Sequence, residues 1–322
     1  MATGERRRES AGAGLLSPAA RPSGPQPSPW SRFLTYLEHR PDRVFPIPAV
    51  IVLLLTMLFP VVYTLYMSVQ QWEFSALDPP KFIGWRNYVN FLTQDSRFWP
   101  SVWRTFYFTF LAVTIETVLG VAIALIFNRE FLGKGLIRTI FLFPMVATPV
   151  AIALVWATIF DPNLGVLNYF LEQLNLPIVL WTSDARWVLP ALAIVDIWEW
   201  TPFITLITLA GLSSLPSEPY EAARIDGASP TRILFDLTLP MLRPTIVVAV
   251  LFRAIDALKT FDIIQVITQG GADYSSETLN IYTFQNAFNY YHLGYASSIL
   301  VFFFMLVMGV SILLLRVRRA AE

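Results

Sequence analysis

Glu221-Ala222-Ala223-Arg224-Ile225-Asp226-Gly227, followed after nine residues by Leu237-Thr238-Leu239-Pro240, is the stretch from which the rest of the chain is read. Ser217-Glu218-Pro219 just before it makes a good helix start. Ser can cap, an acid lies in the first turn, and Pro is tolerated where the N–H has no partner anyway. Tyr220, Ala222, Ala223 and Ile225 give a short, compact helix, and Gly227 is suited to ending it. Pro230 can open a second short helix with Ile233, Leu234 and Leu237 as an apolar stripe. Pro240 and Pro244 are expected to break the chain afterwards. The result is a helix–turn–helix unit that shows an apolar face on a polar loop. Such a face usually has a partner.

Long apolar runs lie on either side of this loop. A membrane span needs about 20 mostly apolar residues, and six stretches qualify: 47–69, 105–127, 139–160, 187–212, 245–268 and 295–315. The second carries Glu116. The third contains Pro144 and Pro149 and is expected to be bent, either as a static kink or as a gating hinge. The fourth contains Asp196, Glu199 and Pro202. The fifth carries Arg253, Asp256, Lys259 and Asp262. The fold class expected is all-α, a polytopic membrane protein with six transmembrane helices.

Positive charge in the loops orients the spans. With the N-terminus inside, the inner segments carry sixteen Lys and Arg, among them Arg129, Lys134, Arg138, Arg224, Arg232, Arg243, Arg316, Arg318 and Arg319. The outer loops carry five: Lys81, Arg86, Arg97, Arg104 and Arg186. Both termini are therefore expected in the cytosol, as an even number of spans requires. Residues 1–44 form a cytosolic tail. Its first 30 residues are rich in Arg, Ser, Pro, Gly and Ala and read as largely disordered. Arg6-Arg7-Arg8 reads as a topogenic cluster. Residues 45–317 form the membrane domain, with its cytosolic loop over 213–244, and 318–322 a short cytosolic tail.

Composition agrees. The 322 residues are 55% hydrophobic and 14% charged, with a mean hydropathy of +0.54. A soluble domain carries about 25% charged residues, so the polar surface is too small for a soluble globule of this size. The net charge of zero and the lack of a basic aromatic patch speak against nucleic acid. With no Cys, and with His39 and His292 far apart, neither a thiolate nor a His-based metal site is expected. There is no G-x4-G-K-[ST] phosphate loop and no Ser–His–Asp arrangement, so neither nucleotide binding of that kind nor covalent catalysis is expected. Trp72, Trp85, Trp99 and Trp103 read as interfacial anchors. Residues 168–181 read as a short cap on the outer side. Tyr282, Phe284, Phe288, Tyr290 and Tyr291 read as an amphipathic outer-face helix.

The pattern E-A-A-x3-G-x9-hydrophobic-x-L-P resembles the signature loop of membrane (permease) subunits of bacterial ABC importers, with Leu237 where Ile is usual. The resemblance covers roughly residues 45–317. Phe82-Ile83-Gly84, Trp156 with Gly165 and Asn168, and Thr268-Gln269-Gly270-Gly271 make it similar to the carbohydrate branch: maltose, trehalose, polyol and glycerol-3-phosphate permeases. It implies the type I ABC importer permease fold in the bacterial cytoplasmic membrane. It also implies these partners: a second similar permease subunit, two copies of a cytosolic ATP-binding subunit, an extracytoplasmic substrate-binding protein or lipoprotein, and membrane lipid. The chain would bind no cofactor, since ATP and Mg belong to the ATPase subunits. Glu221, Ala222, Ala223, Asp226, Gly227, Leu239 and Pro240 would couple the chain to the ATPase.

Ionisable groups at membrane depth are expensive and mark a functional site by default. Asp196, Glu199, Trp200 and Phe203 are spaced i, i+3, i+4 and i+7 and share one helix face. Arg253, Asp256, Ala257 and Thr260 share another. Carboxylates and guanidinium suit sugar hydroxyls, and aromatic rings suit the apolar face of a sugar. In the resemblance these eight residues take the positions that contact substrate, although their side chains are more charged than in the maltose pattern. Pairing among Arg253, Asp256, Lys259 and Asp262 would equally neutralise the span. Glu116 reads as a packing partner, and Trp198 as interhelical packing. Two other classes remain open: a secondary transporter in which Asp196, Glu199 and Asp262 relay protons, and a membrane-embedded glycosyltransferase.

Overall fold

The computed structural model describes residues 28, 30, 45–73 and 79–321. The expected disordered tail over 1–44, with Arg6–Arg8, lies outside the described residues apart from Ser28 and Trp30. The described residues divide into two units at Phe59 and Pro60.

Among the described residues, five helices are long and apolar enough to cross a membrane: α1 (Pro46–Ser68), α3 (Phe98–Phe127), α7 (Val188–Ser213), α9 (Pro230–Ala257) and α12, whose apolar part is Leu293–Arg316 and which runs on to Ala321. A sixth candidate is broken. It consists of α4 (Lys134–Val146) and α5 (Pro149–Ile159), which meet at 97°. Shorter helices join them: α2 (Arg86–Thr93), α6 (Val166–Gln173), α8 (Glu218–Ile225), α10 (Asp262–Ile267) and α11 (Leu279–Phe284). A two-stranded antiparallel ribbon pairs Gln70 with Phe82 and Gln71 with Lys81.

Several boundaries differ from the sequence reading, each for a local reason. The third span is more than kinked. Pro149 forces the residue before it out of helical geometry; Ala147 and Thr148 are both extended, and the helix direction turns there. The expected break at Pro240 and Pro244 is absent. A wide π-type turn over Ile233–Thr238 precedes Pro240. In it Leu239 N–H donates to Leu234 O, and Thr238 Oγ1 donates to Ile233 O at 3.2 Å. This widening absorbs the missing proline donor, so the second loop helix continues into the fifth span as one helix. At its far end that span stops at Ala257, not at Thr268. Lys259 and Thr260 close it with i→i−3 bonds to Asp256 and Ala257, and α10 starts afresh at Asp262. The second span begins at Phe98, earlier than expected, so Trp99 and Trp103 lie on its first turns.

The core sits between α3 and α7. Phe108, Ala112, Leu192 and Val195 pack there with Ile152, Phe160 and Ile264. Gly120 permits the close approach: a Cβ at this position would stand 2.7 Å from Ile204 Cβ. The cap over 168–181 is present and is centred on Asn168. Asn168 Oδ1 accepts from Trp181 Nε1 at 3.0 Å, and its amide donates to Val179 O at 3.1 Å. The expected amphipathic outer-face helix is corrected at Tyr282, which is buried; Phe288, Tyr290 and Tyr291 are exposed.

Candidate functional site

Side chains expected to act converge at two places. The first is a charged cluster among α3, α7 and α9. Arg253 on α9 is only 1% exposed. Its Nε lies 2.8 Å from Glu116 Oε2, and its Nη2 donates to Glu116 Oε1 at 3.1 Å. The same Nη2 donates to Asp196 on α7. Nη1 reaches Asp256 Oδ2 at 3.3 Å, and Lys259 Nζ lies 3.9 Å from the other oxygen of that carboxylate. The guanidinium also stands 5.1 Å from the Trp200 ring centroid, and Trp200 packs edge-on to Phe203. Burying one guanidinium is costly; partners from three helices offset that cost and fix the helices relative to one another. Glu199 is 1% exposed, and its Oε2 has no hydrogen-bond partner among the described residues. The Asp256 side chain is 52% exposed and opens one side of the cluster.

Asp196, Glu199, Trp200, Arg253 and Asp256 are thus brought together. Ala257 is buried one residue beyond Asp256, while Thr260 lies past the end of the helix and so leaves the shared face. Glu116, expected as a packing partner, is buried against Arg253, with Oε1 accepting from Nη2 and Oε2 close to Nε. The two are 137 positions apart. The signal for it lies in the sequence, since any carboxylate in a span needs a cation, but no spacing names which one. Trp198 packs against Trp156 with ring centroids 5.9 Å apart.

The second place is the loop. Helix α8 ends in a Schellman motif: Gly227, at φ +71°, donates to Arg224 O, and Ala228 N–H donates to Ala223 O. Ser217 makes no side-chain cap bond, contrary to expectation, whereas Ser229 caps the next helix by accepting from Arg232 N. Tyr220 Oη donates to Thr238 Oγ1 at 3.2 Å and ties the two short helices together. Glu221, Ala222, Asp226, Gly227 and Pro240 are exposed, and Ala223 and Leu239 are half-buried. Ile225 is 87% exposed and Phe235 64%. A cavity of about 730 Å³ between the helices is lined by Ala222, Ala223, Asp226, Gly227, Arg232 and Asp236 among others.

A third network has no counterpart in the sequence reading. Asp95 accepts from Tyr282 and, at 2.7 Å, from Tyr295. Burial pushes its carboxyl up, but the tyrosine hydroxyls and the Arg97 N–H outweigh that and hold it below the ordinary carboxylate range. Arg97 pairs with Glu277 and lies 3.7 Å from the Tyr274 ring centroid. Burial keeps the Glu277 carboxyl above its ordinary value despite that pair.

A buried ion-paired cluster inside a helical membrane bundle, joined by one helix to a loop with exposed apolar side chains, defines a membrane-embedded transport component. The chain belongs to the family described as binding-protein-dependent transport system inner membrane component, whose profile matches residues 116–319. It is 36% identical to the trehalose/maltose transport system permease protein MalF of Thermococcus litoralis over 89% of this chain and 96% of that one. It is 35% identical to the sulfoquinovosyl glycerol transport system permease protein SmoG of Agrobacterium fabrum (91% and 95% covered), and 35% identical to the trehalose transport system permease protein SugA of Mycobacterium tuberculosis (88% and 90%). Among solved structures, a bacterial ABC transporter that imports the acidic polysaccharide alginate has the same fold. The TM-score is 0.78 at 21% identity, covering 90% of this chain and 99% of that one.

Proposed function

We propose that this chain is the permease subunit of an ATP-binding-cassette importer that moves a sugar or sugar-like solute into the cytoplasm. The observation that carries this reading is the continuity of α9. One helix, Pro230–Ala257, starts in the loop and ends at the cluster. At about 1.5 Å per residue its 28 residues extend roughly 42 Å. A push on the start of α9 is therefore delivered to Arg253 along one helix.

In this reading both termini and the loop are cytosolic, in the cytoplasmic membrane. An ATP-binding subunit grips Glu221, Ala222, Ala223, Asp226 and Gly227, with Leu239 and Pro240 passing the motion to α9. ATP and Mg reside on two copies of that subunit. A second permease subunit completes the pathway, and a substrate-binding protein delivers solute from outside. Asp196, Glu199, Trp200, Phe203, Arg253, Asp256 and Ala257 face the solute, with Thr260 just beyond the end of α9. Closure of the ATPase pair moves the loop and turns the cluster from one side of the membrane to the other. Names of relatives that carry trehalose and maltose support a carbohydrate.

The test is uptake by the complete complex in sealed vesicles. Uptake should require ATP hydrolysis and survive collapse of the proton gradient. Uptake that survives ATP depletion but stops when the proton gradient is collapsed would overturn the proposal in favour of a proton-coupled carrier using Asp196, Glu199 and Asp262.

A further inference from the structure

We infer that the buried cluster sets the charge class of the cargo: it accepts uncharged polyhydroxy solutes through Glu199 and rejects solutes bearing phosphate, sulfonate or carboxylate. The inference rests on the proposal that these residues face the solute, and it goes beyond it. Relatives do not decide the matter, since the names of those at 35–36% identity include both neutral disaccharides and a sulfonated glycoside.

The geometry does. An anionic solute needs a cation that is not already neutralised. Arg253 is ion-paired to three carboxylates: Glu116 lies against Nε and Nη2, Asp196 against Nη2, and Asp256 against Nη1. Lys259, the other cation at this end of α9, stands beside Asp256. The next group along α7 is not a cation but a further carboxylate. Glu199 is one helical turn from Asp196, as buried as Asp196, and retains an acceptor oxygen with no partner among the described residues. A buried acceptor left unpaired is unfavourable, and a hydroxyl donor relieves it. An anion brought to the same place meets the ion-paired carboxylates of Asp196 and Asp256, in a medium that screens poorly. The Trp200 face beside Arg253 offers the apolar wall that a sugar ring can use. Glu116 is in this view a positioning residue. It holds Arg253 in an ion pair and so leaves Glu199 as the selecting group.

The test compares neutral solutes with their phosphorylated twins: trehalose with trehalose 6-phosphate, maltose with maltose 1-phosphate, and glycerol with glycerol 3-phosphate. Binding to the complete membrane complex, without its binding protein, is measured by saturation-transfer NMR. At least one neutral member should bind, with its twin weaker by about tenfold or more. Glu199→Gln should weaken the neutral member and shrink the ratio to under about threefold. Glu199→Asp should retain the ratio. A purely structural Glu199 would shift the melting temperature and leave the ratio where it was. Equal binding of a twin pair by the unaltered complex, or a preferred phosphorylated member, overturns the charge rule and leaves the carbohydrate proposal standing. Binding of no member overturns both.

Discussion

The loop at 217–240 and the cluster around Arg253 lie at opposite ends of one helix and are built by opposite rules. The loop is local. Its turn, its caps and its cavity come from residues within about 20 positions of one another, and its apolar side chains Ile225 and Phe235 remain exposed. The cluster is non-local. Glu116, Asp196 and Arg253 come from three helices, and each is 99% or more buried. A local unit with exposed apolar surface is shaped for something outside the chain. A buried ion network serves the interior, where removing one partner strands the others. The continuous helix α9 makes the two ends parts of one device.

The contrast can be broken most severely at Arg253. Arg253→Met leaves Glu116 and Asp196 facing each other without a cation and should destabilise the chain by about 3–5 kcal/mol. This would be read as a large fall in the thermal midpoint of the detergent-solubilised protein. Adding Glu116→Gln and Asp196→Asn should restore most of that loss, because no buried charge is left unpaired. If the single variant melts like the parent, the cluster does not hold the helices together. Next comes the surface that brings two of the cluster's helices into register. Gly120→Val would drive side-chain atoms into Ile204, only 2.7 Å from the new Cβ. Overpacking of this kind costs about 1–3 kcal/mol. Thermal unfolding again gives the number, and an unchanged midpoint would mean that α3 and α7 can separate freely.

The loop should respond differently. At Gly227 nothing lies within 4 Å of an added Cβ, so the penalty of Gly227→Leu is conformational only. A left-handed backbone costs a non-glycine residue about 1–2 kcal/mol, confined to the Schellman turn. Membrane insertion and thermal midpoint should therefore stay close to those of the parent, while solute-stimulated ATP hydrolysis and uptake by the complex fall together. A Gly227→Leu complex with full uptake would show that the turn does not transmit the motor's motion.

Most of the loop is legible in its residues alone, because caps, glycine stops and proline starts are short-range chemistry. Even there, Pro240 misleads. Its missing donor suggests a break, yet the π-type turn before it, bonded through Thr238 and Leu239, lets the helix pass. The break that does occur, at Thr148, follows from the residue-before-proline rule, but its 97° angle does not.

Composition and apolar run lengths by themselves determined that this chain crosses a membrane through several helices, because about 20 apolar residues have no other stable place in water or lipid. Spacing determined that Asp196 and Glu199 share a face, since helical periodicity is fixed by the backbone. What only the tertiary structure decided is which charges meet. Glu116 and Arg253 are 137 positions apart, and Asp95 meets Tyr295 across 200. Such pairs depend on the packing of α3, α7 and α9 and on the meeting of distant loops, not on any periodicity along the chain. The sequence therefore showed that the membrane interior held costly charges, and the packed helices showed that Arg253 was already spoken for and Glu199 was not.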